Sequence, residues 1–65
     1  MRILVNGAWR ETGAVTLASV LDELGYAESI VATALNGEFV PVSARGGARM
    51  NEGDRLEVLA PMQGG

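Results

Sequence analysis

The sequence closes on Gln63-Gly64-Gly65, and a glycine pair in that position is either a frayed end or a group on which chemistry can be done. Glycine has no Cβ, so the last two residues can pass through a narrow channel at any φ. The reactive group would be the α-carboxylate of Gly65, which no side chain crowds. A carboxylate is inert towards nucleophiles until one of its oxygens becomes a leaving group. Adenylation by ATP would do that, after which a persulfide or thiol can displace AMP. Pro61 to Gly65 would reach about 16 Å when extended, at ~3.3 Å per residue. A second pair, Gly46-Gly47, lies inside the chain, so the composition of the pair carries nothing and its position carries the reading.

The rest of the composition leaves little else to do chemistry. The chain has 65 residues, no Cys and no His, and its five basic residues are all Arg (Arg2, Arg10, Arg45, Arg49, Arg55). That removes thiol and imidazole nucleophiles, Schiff-base lysines, histidine general bases, zinc fingers and disulfides. A domain of this size has too little core to wall a deep cavity. The expectation is a chain that is no enzyme, binds no metal or cofactor itself, and is acted on by others. The missing lysines fit an activated acyl end, since no side-chain amine of the same chain can attack it.

A net charge of −3 speaks against a nucleic-acid surface and suits a partner with a positive face. At 48% apolar and 20% charged, the chain is expected to be globular. The longest apolar run, Ile30 to Leu35, is far short of the ~18 residues of a membrane span, and no signal peptide is read at the start. The expected location is the cytoplasm, with no membrane partner.

The elements that must carry this end can be read in order. Arg2 to Val5 is a strand, and Asn6-Gly7 supplies the two positive-φ residues of a type I′ turn into a short return strand, Trp9 to Thr12. Trp9 reads as a partly buried residue packing the sheet. Thr16 occupies an N-cap position, Leu17, Val20, Leu21 and Leu24 share one helical face, and Gly25 stands at C′. A helix of two to three turns is therefore predicted from Leu17 to Leu24. Ile30 to Leu35 and Glu38 to Val42 form a second hairpin around Asn36-Gly37, and Pro41 places its second strand at an edge. Ser43 to Met50 reads as a loop with one irregular turn. Asn51 to Asp54 is a turn, and Arg55 to Ala60 is the last strand, with Leu56, Val58 and Ala60 on one face.

One amphipathic helix on a small mixed sheet makes a two-layer domain. The first and last strands are expected side by side in the middle and parallel, with the helix as crossover. This is an α+β, ubiquitin-like β-grasp, with four to five strands packed on one main helix. Residues 1–60 would be the domain and 61–65 a flexible tail.

The sequence resembles the bacterial ThiS sulfur carrier family of thiamine biosynthesis. The stretches that carry the likeness are Ile3-Leu4-Val5-Asn6-Gly7, Leu21-Asp22-Glu23-Leu24-Gly25 and Val31 to Pro41. The more specific ones are Asn51-Glu52-Gly53-Asp54-Arg55-Leu56-Glu57-Val58 and Gln63-Gly64-Gly65. The resemblance implies that an E1-like enzyme adenylates Gly65 with ATP and that Gly65 becomes a thiocarboxylate. The sulfur would come from cysteine through a desulfurase persulfide and pass to thiazole synthase, with Gly64 threading the channel. The chain departs from the family at Ser43 to Ala48, where Gly46-Gly47 weakens a helix.

A tail cannot act without a docking face. Leu4, Phe39 and Leu59 are expected on the sheet face away from the helix, where contiguous apolar residues would dock a partner together with Met62, Gln63 and Gly64. Asp22, Glu23, Glu52, Asp54 and Glu57 read as a solvated face. Two other readings stay open: a carrier for molybdopterin or tRNA thiolation, and a β-grasp binding module without carrier chemistry.

Overall fold

The computed structural model describes residues 1–26 and 29–60. Among them, five strands form one sheet in the order β2-β1-β5-β3-β4. They are β1 (Arg2–Val5), β2 (Ala8–Glu11), β3 (Ala32–Leu35), β4 (Glu38–Val40) and β5 (Arg55–Leu59), with one helix, α1 (Leu17–Glu23), and one 3₁₀ helix, Val42–Gly47. β1 and β5 pair in parallel at the centre, with Leu4 beside Arg55 and Val5 beside Leu56. The other three pairings, β1 with β2, β3 with β4 and β3 with β5, are antiparallel. This is the β-grasp arrangement expected from the sequence.

Local chemistry explains the elements. Asn6 (φ 48°) and Gly7 (φ 84°) turn the first hairpin, and Asn36 (φ 52°) and Gly37 (φ 88°) turn the second. Both residues of a type I′ turn need positive φ, and Asn and Gly adopt it most readily. At the start of α1 the Thr16 hydroxyl accepts from the Ser19 N–H at 3.2 Å. Gly25, at φ 91°, follows its end. Leu17, Val20 and Leu21 of α1 are buried against Ile3, Val5, Leu56 and Val58 of the central strands. Val31 and Met50 complete that core.

Four expectations are corrected. Ile30 is 83% exposed, and β3 begins only at Ala32. The fourth strand stops at Val40, because Pro41 has no N–H for a ladder and starts the next turn instead. The segment read as a loop from Ser43 is a 3₁₀ helix over Val42–Gly47. The Ala44 N–H donates to the Pro41 carbonyl at 2.9 Å, an i→i−3 bond of the kind that defines this helix. What holds it is Arg45, which donates from Nη2 to the Val31 carbonyl at 2.6 Å and from Nε to Thr33 Oγ1 at 3.2 Å. Ala60, placed by alternation with Leu56 and Val58, lies past the end of β5 and is exposed.

Past the 3₁₀ helix the chain is fastened to the start of α1. The Leu17 N–H donates to the Ala48 carbonyl at 2.8 Å and the Met50 N–H to the Val15 carbonyl at 2.9 Å. That pairing carries Met50 into the core. Among the described residues no helix is long and apolar enough to cross a membrane.

Candidate functional site

Alternation sorts the strands into two faces. Ile3, Val5, Thr33, Leu56 and Val58 turn toward α1 and are buried. Leu4, Trp9, Phe39, Leu59 and their row neighbours turn away. The expected docking residues Leu4, Phe39 and Leu59 therefore share the outer face, but the structure does not bring all of them together. Phe39 pairs with Ala34, Ala34 with Glu57, and Ala32 with Leu59. These residues line a shallow groove of about 130 Å³ between Phe39 and Leu59, with few polar atoms. Phe39 is 69% exposed and Leu59 68% exposed.

Leu4 lies elsewhere on the same face. Its row neighbours are Trp9 and Arg55, and Leu59 stands four residues further along β5, about 13 Å away at ~3.3 Å per residue. Leu4 is half-buried. Trp9, expected to be partly buried, is 54% exposed on the edge strand β2. The Arg2 guanidinium sits 4.7 Å from its ring centroid, a cation–π contact. An edge strand has a neighbour on only one side, so the indole is left to stack on an Arg of β1.

The remaining expected site residues, Met62, Gln63, Gly64 and Gly65, lie outside the described residues. The described chain ends at Ala60, next to Leu59 and so next to the groove.

Of the acidic residues expected on a solvated face, Asp22, Glu23, Glu52 and Glu57 are exposed and Asp54 is half-buried, and three of the five also bond within the chain. Glu23 accepts from the Thr12 hydroxyl. Glu52 accepts from the Arg2 N–H at 3.0 Å. Asp54 accepts from Asn36 Nδ2 at 3.0 Å and from the Asn51 N–H at 2.7 Å. Glu57 is exposed and borders the groove. Among the described residues no three His, Cys, Asp or Glu converge as a metal site would need. A second hollow of about 450 Å³ lies between α1 and the 3₁₀ helix, but Arg45, at its side, is already bonded to Val31 and Thr33.

The arrangement places an exposed apolar groove on the outer sheet face, beside the end of the described chain. With that geometry in place, comparison decides the family. The sequence model of the ThiS family matches residues 3–65. The chain belongs to the ThiS family. The crystal structure of the thiamine biosynthesis protein ThiS from Geobacter metallireducens is 32% identical, superposes with a TM-score of 0.85, and the match covers 100% of both chains. The solution structure of a Geobacter metallireducens thiamine biosynthesis protein gives a TM-score of 0.81 at 32% identity, over 100% of this chain and 88% of that one. A thiazole synthase from Paramagnetospirillum magneticum is 38% identical over 66 residues, which is 100% of this chain and 20% of that protein. The chain thus spans about a fifth of the length of the curated relative it matches.

Sequence reasoning missed two parts of this ThiS chain. One is the anchor made by Arg45. The other is the side chain of Asn6, which reaches across to β5 and bonds both backbone groups of Val58. Asn6 announces a turn in the sequence, and nothing local announces a partner 52 positions away.

Proposed function

We propose that this ThiS chain carries sulfur as a thiocarboxylate on Gly65 for the thiazole ring of thiamine. The carboxylate oxygen attacks the α-phosphate of ATP in an E1-like enzyme, releasing pyrophosphate. The outer sulfur of a persulfide, supplied from a cysteine desulfurase, then displaces AMP to give an acyl disulfide on Gly65, and a thiol of the partner attacks its S–S bond, forming a disulfide and releasing the thiocarboxylate. The loaded end delivers its sulfur to thiazole synthase. The chain contributes a folded platform (residues 1–60), a docking groove at Phe39 and Leu59, and an arm (residues 61–65) whose last two residues, Gly64 and Gly65, are slim enough for a channel. ATP is consumed by the partner, and the chain holds no cofactor.

The observation that carries this reading is that the family match runs through Gly65, on a fold superposing on a ThiS structure over its full length. The destination is supported by the thiazole synthase of which a fifth is similar to this chain.

The test is intact-mass analysis after incubation with ATP, the activating enzyme and a sulfur donor. Oxygen-to-sulfur exchange confined to the terminal residue is expected. Exchange that persists once Gly65 is deleted, or none at all, would sink the proposal. Reconstitution with thiazole synthase against a molybdopterin-type acceptor separates the destinations.

A further inference from the structure

The two Asn-Gly turns hold opposite ends of β5. Asn36, in the second hairpin, accepts from the Arg55 N–H through Oδ1 at 2.9 Å, and its own N–H donates to the Arg55 carbonyl at 2.7 Å. That fixes the start of the strand. Asn6, in the first hairpin, accepts from the Val58 N–H through Oδ1 at 2.8 Å and donates through Nδ2 to the Val58 carbonyl at 3.1 Å. Its backbone N–H donates to the Leu56 carbonyl at 2.9 Å. The amide side chain thus imitates one more peptide group of β1.

The need for it follows from the register. β1 pairs with β5 only as far as Val5 beside Leu56, and the chain then turns away into β2. Strand groups alternate in direction, so the Val58 N–H and carbonyl face the side that β1 has left. Leu59, one residue on, pairs with Ala32 of β3 on the other side. Val58 is therefore the last point at which β5 is held from the β1 side, three residues before the arm begins at Pro61.

We propose that Asn6 is a positioning residue for the carrier reaction: by clamping Val58 it fixes where and in which direction the arm leaves the sheet. This rests on the carrier reading above. The groove at Phe39 and Leu59 sets how tightly the partner docks, whereas the root of the arm sets how often the distant carboxylate finds the reacting atom once docked. Displacements of about 1 Å at a reacting centre can cost ~10²-fold in rate. A loosened root is expected to lower kcat and leave KM alone.

The experiment compares Asn6→Gly with Asn36→Gly in the full chain. Glycine adopts positive φ without strain, so both turns keep their backbone and each variant loses one clamp on the same strand. Amide hydrogen exchange in the free chain is expected to speed up at Val58 by about tenfold or more in Asn6→Gly, with Arg55 unchanged, and the reverse in Asn36→Gly. In sulfur loading by the activating enzyme, Asn6→Gly should lose about tenfold in kcat with KM within about twofold, while Asn36→Gly keeps both. Equal loss of kcat in the two variants, or unchanged exchange at Val58, overturns the proposal. A wild-type chain that is never loaded fails the carrier reading and takes the positioning role with it, and exchange then reports the clamp alone.

Discussion

The two faces of the sheet are made by alternate residues of the same strands, and they are finished in opposite ways. Among the described residues no buried side-chain nitrogen or oxygen on the inner face lacks a hydrogen-bond partner. Ile3 and Leu56 are 0% exposed, and the buried hydroxyl of Thr33 donates to the Val40 carbonyl and accepts from Arg45. On the outer face Phe39, Leu59 and Trp9 are all more than half exposed. A single seven-residue helix can cover only one side of five strands. The other side was available for a partner at no cost to the core. The difference teaches where substitutions will be read: as stability on one face and as association on the other.

The strongest way to break that division is Leu56→Ala. It removes a fully buried side chain from the central strand, and large-to-small changes of this kind cost about 2–5 kcal/mol. A domain this small has only a few kcal/mol in hand, so the variant is expected to be largely unfolded at 25 °C by circular dichroism and urea titration. A folded, cooperative Leu56→Ala chain would show that the inner face is not what holds the sheet. Next is Arg45→Ala, which should lose about 1.5–3 kcal/mol, since it leaves the Val31 carbonyl and Thr33 without a charged donor. Its signature is early exchange of the 3₁₀ helix amides with the β1–β5 pairing kept.

On the outer face the expected effects move to another readout. Phe39→Ser should leave the unfolding midpoint nearly unchanged, yet raise KM for the activating enzyme about tenfold, the equivalent of ~1.4 kcal/mol of docking energy. A drop in stability of similar size, with KM intact, would mean the groove serves the fold. The smallest effect is expected at Trp9→Ala. It removes an exposed cation–π contact with Arg2 worth about 0.5–1 kcal/mol and lies outside the Phe39 groove, so a small shift in denaturation and no change in KM are predicted.

How much of this could be read in the sequence follows the reach of each signal. α1 was legible because its cap, its apolar spacing and its closing Gly25 all act within one or two turns. The hairpins were legible because Asn-Gly is itself the turn chemistry. The central parallel pair followed from the crossover between β1 and β5. Met50 reaches the core only through the pairing of Val15 with the stretch after the 3₁₀ helix, and periodicity contains no such information. The Gly46-Gly47 pair argued for an open loop, but Arg45 bonds to groups 12 and 14 positions away and overrides that local preference. Of the candidate docking residues, alternation assigned Leu4, Phe39 and Leu59 to the correct face. Only the register separates Leu4 from the other two.

The pairing of β1 with β5 also sets the order in which the molecule can exist. The strand made last of the five stands in the middle of the sheet, between strands made first and third. Until Arg55–Leu59 has emerged from the ribosome, the β1–β2 hairpin and the β3–β4 hairpin have no common neighbour. Each is marginal alone in water, and α1 has half a floor to rest on. At roughly 5–20 residues per second the nascent chain spends several seconds without a core, and then acquires all of it when its final strand arrives. Folding of this chain is thus timed by the completion of its central strand, the last of the five to be made.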